Sequence, residues 1–139
     1  MDIACLEQLT RMDTLEIGLT SEVEWSVTDD LCTVRGGYHV FSTPSMVLLV
    51  ERTAIRLLEP HLEAGQSSVG TRVDIRHMAP TLAGMKVRAE TELVHMDRRK
   101  VSFKIRVFDD AELVGEADHE RFVIDVDKYV EKLKKKLGR

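Results

Sequence analysis

Several stretches of the chain alternate between apolar and polar residues, the pattern of β-strands with one buried face. The first stretch predicts one long strand, in which only Ser21 interrupts a single parity: Leu15, Ile17, Leu19, Val23, Trp25 and Val27. Four more alternating segments follow a turn near residues 65–68. In the first three segments the inward positions are Val73, Ile75 and His77, then Met85, Val87, Ala89, Leu93 and His95, then Val101, Phe103, Ile105 and Val107. The fourth segment runs from about Leu113 to Ile124. Short loops separate the four segments, so neighbouring strands are expected to be antiparallel.

Between the first strand and the other four, the apolar spacing becomes that of an α-helix. Thr43-Pro44 predicts its start, because Thr can cap the first backbone amides and Pro fits the first helical position. The helical spacing continues to Leu58-Glu59, and Pro60 ends the helix or follows it closely. Four apolar residues near the end of the chain predict a short C-terminal helix: Tyr129, Val130, Leu133 and Leu137.

This order of elements predicts an α+β fold with a five-stranded antiparallel sheet packed on one long central helix. Residues 28–41 lack a clear period and contain two turn signals, Asp29-Asp30 and Gly36-Gly37, so an irregular segment is expected there. No repeat or linker divides the 139 residues, and one domain over residues 1–139 is predicted. The sheet would cover only one side of the helix, and its edges would need charge, bulges or a partner.

Composition narrows the range of functions. The chain is 43% hydrophobic and 32% charged, as in globular proteins, and its net charge of −4 disfavours bulk electrostatic binding to nucleic acid. Cys5 and Cys32 are too few for a disulfide framework or a four-thiolate metal site, so we expect reduced thiols. The five histidines lack paired metal-ligand spacing, and no metal site is expected.

Nothing in the sequence predicts insertion into a membrane. The longest apolar run, Met46–Val50, has five residues, whereas a spanning helix needs ~20. The first residues contain no basic segment followed by an apolar one, so no signal peptide is predicted. A cytoplasmic protein without a membrane partner is the expectation.

One acidic residue lies on the apolar side of the predicted central helix. With Glu51 at 0° and 100° per residue, Val47, Ala54, Ile55 and Leu58 fall within about 60° of it. A carboxylate among apolar side chains must be paired, hydrogen-bonded, protonated or near water, and enzymes hold a general base or nucleophile in this way. The pattern equally fits a salt bridge across a subunit contact, or a helix rotated so that Glu51 meets solvent.

His77 continues the parity of Val73 and Ile75, so its ring is expected to point towards the core. It is either a hydrogen-bonded core residue or, if it meets Glu51, an imidazole that moves protons near neutral pH. His95 has the same parity on the next strand, and nothing in the sequence separates it from a structural histidine.

Thr43 has two interpretations. It is either only a helix cap, or a hydroxyl beside free amides at the positive end of the helix, where an oxyanion or carboxylate is favoured. Thr43 and Glu51 are eight residues apart in the sequence, which is ~12 Å along a helix. One reacting atom therefore cannot contact both in one chain: either a long substrate lies between them, or two subunits each supply part of the site.

The order of elements resembles the hotdog fold, in which a curved antiparallel sheet wraps around a long central helix. Within residues 38–130, four segments are similar to those of the fluoroacetyl-CoA thioesterase group of hotdog proteins: Phe41–Glu51, Gly70–His77, Pro80–Gly84 and His119–Ile124. The resemblance rests on the combination of a Thr and a Glu eight apart, a Gly and a His seven apart, and a late His-Glu-Arg. Phosphate-binding glycine loops, dinucleotide fingerprints and nucleophile-elbow serines are absent from the sequence.

The resemblance implies a hydrolase that cleaves a short or medium acyl-CoA thioester to a carboxylic acid and CoA. It implies catalytic roles for Thr43, Glu51 and His77 and substrate contacts from Gly70 and Arg121. It also implies a homodimer, or a dimer of dimers, with the active site at the subunit contact, and no cofactor other than the CoA of the substrate.

The chain departs from this group at one position. The fluoroacetyl enzyme carries a lid with a gating Phe shortly before the Phe-x-Thr run, and Gly37 stands at the matching position here. A fluorinated substrate is therefore not predicted. Two other functions stay open: a non-catalytic hotdog dimer that binds an acyl-CoA as a sensor or carrier, and a hydratase or dehydratase acting on an enoyl-CoA.

Overall fold

A computed structural model of the protein describes residues 11–138. Seven strands are present in this part of the chain: β1 (Thr20–Ser26), β2 (Cys32–Arg35), β3 (Tyr38–Phe41), β4 (Gln66–His77), β5 (Lys86–Asp97), β6 (Lys100–Phe108) and β7 (Leu113–Asp125). The two α-helices are α1 (Thr43–Leu58) and α2 (Val126–Lys136). Three short 3-10 turns complete the set: Arg11–Thr14, Asp29–Leu31 and Glu59–His61.

Five strands form one antiparallel sheet in the order β1-β5-β6-β7-β4, and this confirms the predicted α+β hotdog architecture. The alternation on β6 shows why the sheet forms: Val101, Phe103, Ile105 and Val107 are buried, whereas the intervening residues are more exposed. Burial of such a face stabilises the sheet against α1 by about 25 cal/mol per Å² of apolar surface. β1 and β4 are the two edge strands.

The first strand is shorter than predicted. β1 begins at Thr20. Of the earlier residues of the same parity, Ile17 lies in a turn, and Leu15 and Leu19 lie outside any regular element. Gly18, with a φ of +98°, breaks the extended backbone there, a conformation that glycine adopts readily. Leu15 is buried in the core, but Ile17 is 62% exposed. The prediction that both belong to one strand is wrong.

Residues 28–41 are also more regular than predicted. β2 and β3 form an antiparallel hairpin in which Arg35 pairs with Tyr38. The two residues between them, Gly36 and Gly37, have φ values of +55° and +81°, as a two-residue type I′ turn requires. The expectation of an irregular segment is wrong, since this Gly-Gly dipeptide is a hairpin turn.

α1 confirms the predicted central helix, but its cap differs. The Ser42 hydroxyl accepts a hydrogen bond of 3.2 Å from the Ser45 amide, so Ser42 is the N-cap. Thr43 is the first helical residue and Pro44 follows it. The interpretation of Thr43 as the cap is therefore wrong, and its hydroxyl is free for another role.

α2 confirms the predicted C-terminal helix, although none of its side chains is fully buried. Within residues 11–138, no helix combines the length and apolarity needed to cross a bilayer. Cys32 is a free thiol, and Cys5 lies outside the described residues.

Candidate active site

The catalytic candidates divide into two clusters at opposite ends of β4. Glu51 belongs to the first, on the middle of α1. Its side chain is 36% exposed and lies at the rim of the buried helix face. The prediction that Glu51 lies in the middle of the apolar arc is corrected, because part of that arc is not covered within this chain: Val47 and Ile55 are half-buried and Leu48 is 44% exposed.

Arg121 on β7 holds the Glu51 carboxylate. Its Nη1 donates to Glu51 Oε2 at 3.1 Å, and the guanidinium side chain is only 4% exposed. Burial lowers the pKa of Arg121, and Glu51 opposes that shift. A buried guanidinium needs such partners, since an unpaired charge in the interior is costly.

Ser68 on β4 fixes the rest of the guanidinium. Arg121 Nε donates to the Ser68 hydroxyl at 2.9 Å, and Nη2 donates to the Ser68 carbonyl oxygen at 3.0 Å. With Nη1 on Glu51, all three nitrogens of the fork have partners. Arg121 is therefore oriented from two elements, and its planar geometry transmits that orientation to the carboxylate.

Gly70 lies against this ion pair on the exposed edge of β4. A Cβ built on Gly70 would be 3.1 Å from Glu51 Oε2 and 3.3 Å from Arg121 Nη1. A side chain here would press on the carboxylate, whereas glycine leaves the backbone next to Glu51 open.

His119 on β7 completes the first cluster. Its Nδ1 is 2.8 Å from the Arg72 carbonyl oxygen, and its Nε2 is 3.4 Å from Arg121 Nη1. Burial lowers the pKa of the imidazole, and the positive charge of Arg121 lowers it further.

The second cluster joins Thr43 and His77. Thr43 Oγ1 and His77 Nδ1 are 2.9 Å apart, which is a hydrogen bond that fixes the orientation of the ring. His77 Nε2 is buried and makes no hydrogen bond within the described residues. Burial also lowers the pKa of His77. The backbone of Ala79 opposes that shift. An unpartnered buried nitrogen costs about 1–3 kcal/mol, so a further hydrogen-bond partner for Nε2 would stabilise the site.

The register of the sheet gives the distance between the clusters. Gly70 pairs with Arg121, and His77 pairs with Gly115, six residues further along β7. Six residues of strand span about 20 Å. Glu51 therefore cannot reach His77 of its own chain, in agreement with the separation expected along the helix.

A family model described as fluoroacetyl-CoA-specific thioesterase matches residues 23–127. The chain belongs to this family. A fluoroacetyl-CoA thioesterase of Streptantibioticus cattleyicolor is 35% identical over 97 residues, which is 70% of each protein. This chain is therefore a thioesterase, an enzyme that hydrolyses acyl-CoA thioesters.

Solved structures agree with this assignment. The structure of a fluoroacetyl-CoA thioesterase superposes with a TM-score of 0.83 at 29% identity. The match covers 89% of this chain and 98% of the other chain. A hot-dog-like protein from Thermanaerovibrio acidaminovorans has a TM-score of 0.86 at 18% identity, over 94% of this chain and 99% of the other. The second likeness confirms the hotdog fold alone.

His95 lies outside the site of this thioesterase. A β-bulge between Leu93 and His95 shifts the register with β6 and turns His95 to the exposed side. Its predicted inward parity is therefore wrong, because one extra residue in the strand exchanges the two faces.

Two residues of the site were not predicted as such. His119 lies on the inward parity of β7 with Ala117, Arg121 and Val123, so its burial follows from alternation. Ser68 carries no comparable signal, because a serine at a strand edge is ordinary. Among the described residues, no group of three His, Cys, Asp or Glu side chains is placed to hold a metal.

Proposed function

We propose that this protein hydrolyses a short or medium acyl-CoA thioester to a carboxylic acid and CoA, in a site shared by two copies of the chain. The observation that carries the proposal is the separation of two incomplete half-sites along β4. Glu51 is held at one end, and the Thr43–His77 pair with an unpartnered Nε2 lies at the other.

The edge position of β4 supports a shared site. β4 pairs with β7 on one side, and within residues 11–138 no strand pairs with its other side. A long open edge invites pairing with another chain. Two β4 strands related by a two-fold axis would run antiparallel, as isologous contacts allow.

The register sets where that axis must lie. Asp74 pairs with Asp118, three residues along β7 from the partner of Gly70 and three from the partner of His77. An axis near Asp74 therefore brings Gly70 of one copy opposite His77 of the other, on the same face of the extended sheet. In this arrangement Glu51 meets the second copy's Thr43–His77 pair, and each dimer has two sites.

The uncovered strip of α1 supports the same contact. Val47, Leu48 and Ile55 flank Glu51 but are half-buried or exposed in one chain. A second copy would bury them and exclude water around the carboxylate. A dimer, or a dimer of dimers, is proposed on this basis.

In the proposed reaction, Glu51 acts on the thioester carbonyl. It either attacks the carbonyl carbon to form an anhydride that water cleaves, or takes a proton from water so that the hydroxide oxygen bonds to that carbon. The C–S bond breaks as the anhydride forms or as the water adduct collapses, and CoA leaves as its thiolate. The proton that completes the thiol comes from the attacking water, and His77 relays it to the sulfur. The acid and CoA are the products of both routes, and no cofactor takes part.

The other site residues have supporting roles in the proposal. Thr43 orients His77 and the acyl group or Glu51 across the contact. The amide of Gly70, next to Glu51, stabilises charge on the carbonyl oxygen. Arg121, expected from the resemblance to contact substrate, is almost fully buried, and we propose that it acts by holding Glu51.

A panel of acyl-CoAs of increasing chain length tests the proposal through release of free thiol. We expect turnover of short or medium acyl chains, and loss of nearly all of it in Glu51→Gln with the oligomer intact. Glu59→Gln is the matched control, because Glu59 is an exposed glutamate at the end of the same helix. Tight binding without thiol release would overturn the proposal, as would water addition to an enoyl-CoA without thiol release. Full activity of Glu51→Gln would overturn the role of Glu51.

A further inference from the structure

His119 is buried beside the Glu51–Arg121 ion pair, with its Nε2 next to Arg121 Nη1. Its side chain lies among residues of the interior and is 1% exposed. The Phe103 ring on β6 lies at 6.1 Å between centroids, and a Cβ on Gly70 would lie 3.5 Å from His119 Cε1. A merely structural residue in this place needs no nitrogen at all, so the hydrogen bonds of the ring require an explanation.

The partners of the ring define its tautomer. The Arg72 carbonyl oxygen, 2.8 Å from Nδ1, can only accept a hydrogen bond, so Nδ1 carries the hydrogen. In the neutral ring Nε2 is then an acceptor, and it faces Arg121 Nη1, which can only donate, at 3.4 Å. The Nη1 group has two hydrogens, one directed to Nε2 and one to Glu51 Oε2.

The surroundings of the ring favour this neutral state. Facing it are Arg121 on its own strand, Glu51 on α1 and the Arg72 carbonyl on β4, with Glu120 next to it in the sequence. Burial, the largest cause, and Arg121 both lower the pKa of His119, whereas the Arg72 carbonyl and the two glutamates oppose this. A protonated ring would present a hydrogen to the Arg121 guanidinium and remove the acceptor that orients Nη1.

We propose that His119 is a positioning residue: its neutral Nε2 orients Arg121 Nη1, which in turn fixes the Glu51 carboxylate for attack on the thioester or on water. Ser68 anchors the other two nitrogens of the guanidinium, and His119 holds the third nitrogen from its own strand. The inference deepens the proposed function and rests on the role of Glu51 in it.

Two substitutions separate positioning from packing. His119→Phe keeps a ring against Phe103 but has no acceptor, and His119→Gln keeps an amide group near the position of Nε2 without a titrating ring. We expect kcat of the Phe variant to fall by about 10-fold or more with KM changed by less than about threefold, because a displaced carboxylate slows the chemical step more than binding. The Gln variant should recover most of kcat. The decrease in kcat at low pH that is caused by protonation of His119 should be absent from this variant.

A second measurement does not depend on turnover. Nitrogen-15 NMR of histidine-labelled protein, with the His119 signal assigned by its loss in His119→Gln, should show a neutral ring with hydrogen on Nδ1 at pH 6.5. A ring that is protonated at that pH, or that carries its hydrogen on Nε2, overturns the inference. So does a His119→Phe variant with wild-type kcat in the folded fraction.

The outcome also distinguishes the two proposals. If Glu51→Gln is inactive and His119→Phe has wild-type kcat, the positioning role fails and the proposed function stands. If Glu51→Gln keeps full turnover, the proposed function fails, whatever the tautomer of His119.

Discussion

Gly70→Ala adds one methyl group next to the Glu51 carboxylate. The new Cβ would lie 3.1 Å from Glu51 Oε2, which is 0.3 Å short of the 3.4 Å at which ordinary contact begins. Gly70 does not have a positive φ, so alanine fits its backbone without strain. The carboxylate, at the end of a flexible side chain that is 36% exposed, is the group that moves.

The displacement sets the expected loss of activity. A misplacement of 1 Å can cost about 100-fold in rate, so a shift of about 0.3 Å, scaled logarithmically, predicts a fall in kcat of about fourfold. Stability should stay within about 1 kcal/mol of wild type or rise, because alanine loses less backbone entropy than glycine on folding. Thiol-release kinetics and urea unfolding on the same preparations measure the two effects.

Gly115→Ala on the neighbouring strand tests packing instead. Its Cβ would meet the buried Met46 sulfur at 2.5 Å and the Arg76 carbonyl oxygen at 3.3 Å. Overpacking of this kind costs about 1–3 kcal/mol of stability, so this variant should lose stability, whereas Gly70→Ala should not. If Gly70→Ala keeps wild-type kcat, the reasoning about Gly70 is refuted.

Three further predictions follow from individual contacts. Ser42→Ala should lower the free energy of unfolding by about 1 kcal/mol through loss of the helix cap, and an unchanged urea midpoint would contradict it. Thr43→Val should lower kcat by about 10-fold or more, because His77 loses the group that orients its ring, and Thr43→Ser should restore part of it in the same thiol-release assay. The pKa of His119 is lowered in the folded chain. As the pH falls below the ordinary histidine value of 6.5, the unfolded chain therefore takes up a proton that the folded chain does not. Stability should therefore be full above pH 6.5 and decline below it; urea midpoints should fall less with acid in His119→Gln, and equal declines in both proteins would contradict this cause.

Much of the fold is predictable from local pattern. The strands of the main sheet are visible because alternate residues such as Val101 and Phe103 are buried by one face. The start of β1 is not visible, since the φ of Gly18 is a property of the backbone that hydrophobic spacing does not report. The exposed side of His95 is hidden for a similar reason, because a bulge changes register without changing composition.

The position of Glu51 shows a second limit. A helical projection treats every apolar residue alike, so the strip with Leu48 and the core face with Val50 merge into one arc centred near Glu51. In the folded chain only the core face is covered, and Glu51 lies at its rim. The strip with Leu48 stays uncovered within the described residues, and the proposed dimer would bury it.

The partners within the site lie beyond local pattern altogether. Glu51 and Arg121 are 70 residues apart in the sequence, and Ser68 and Arg121 are 53 apart. Parity predicts that Arg121 points inward, but only the pairing of β4 with β7 brings Gly70 beside it. The residues implied by the family resemblance were found through motif similarity, whereas their grouping into two half-sites required the fold.

Subunit complementation tests the shared site most directly. Glu51→Gln and His77→Ala are each expected to be inactive as homodimers, because every site lacks one essential group. In a heterodimer carrying two different affinity tags, one of the two sites would combine the intact Glu51 of one chain with the intact His77 of the other, so about half of the wild-type activity should return. A tag-purified heterodimer as inactive as its parents would contradict the account.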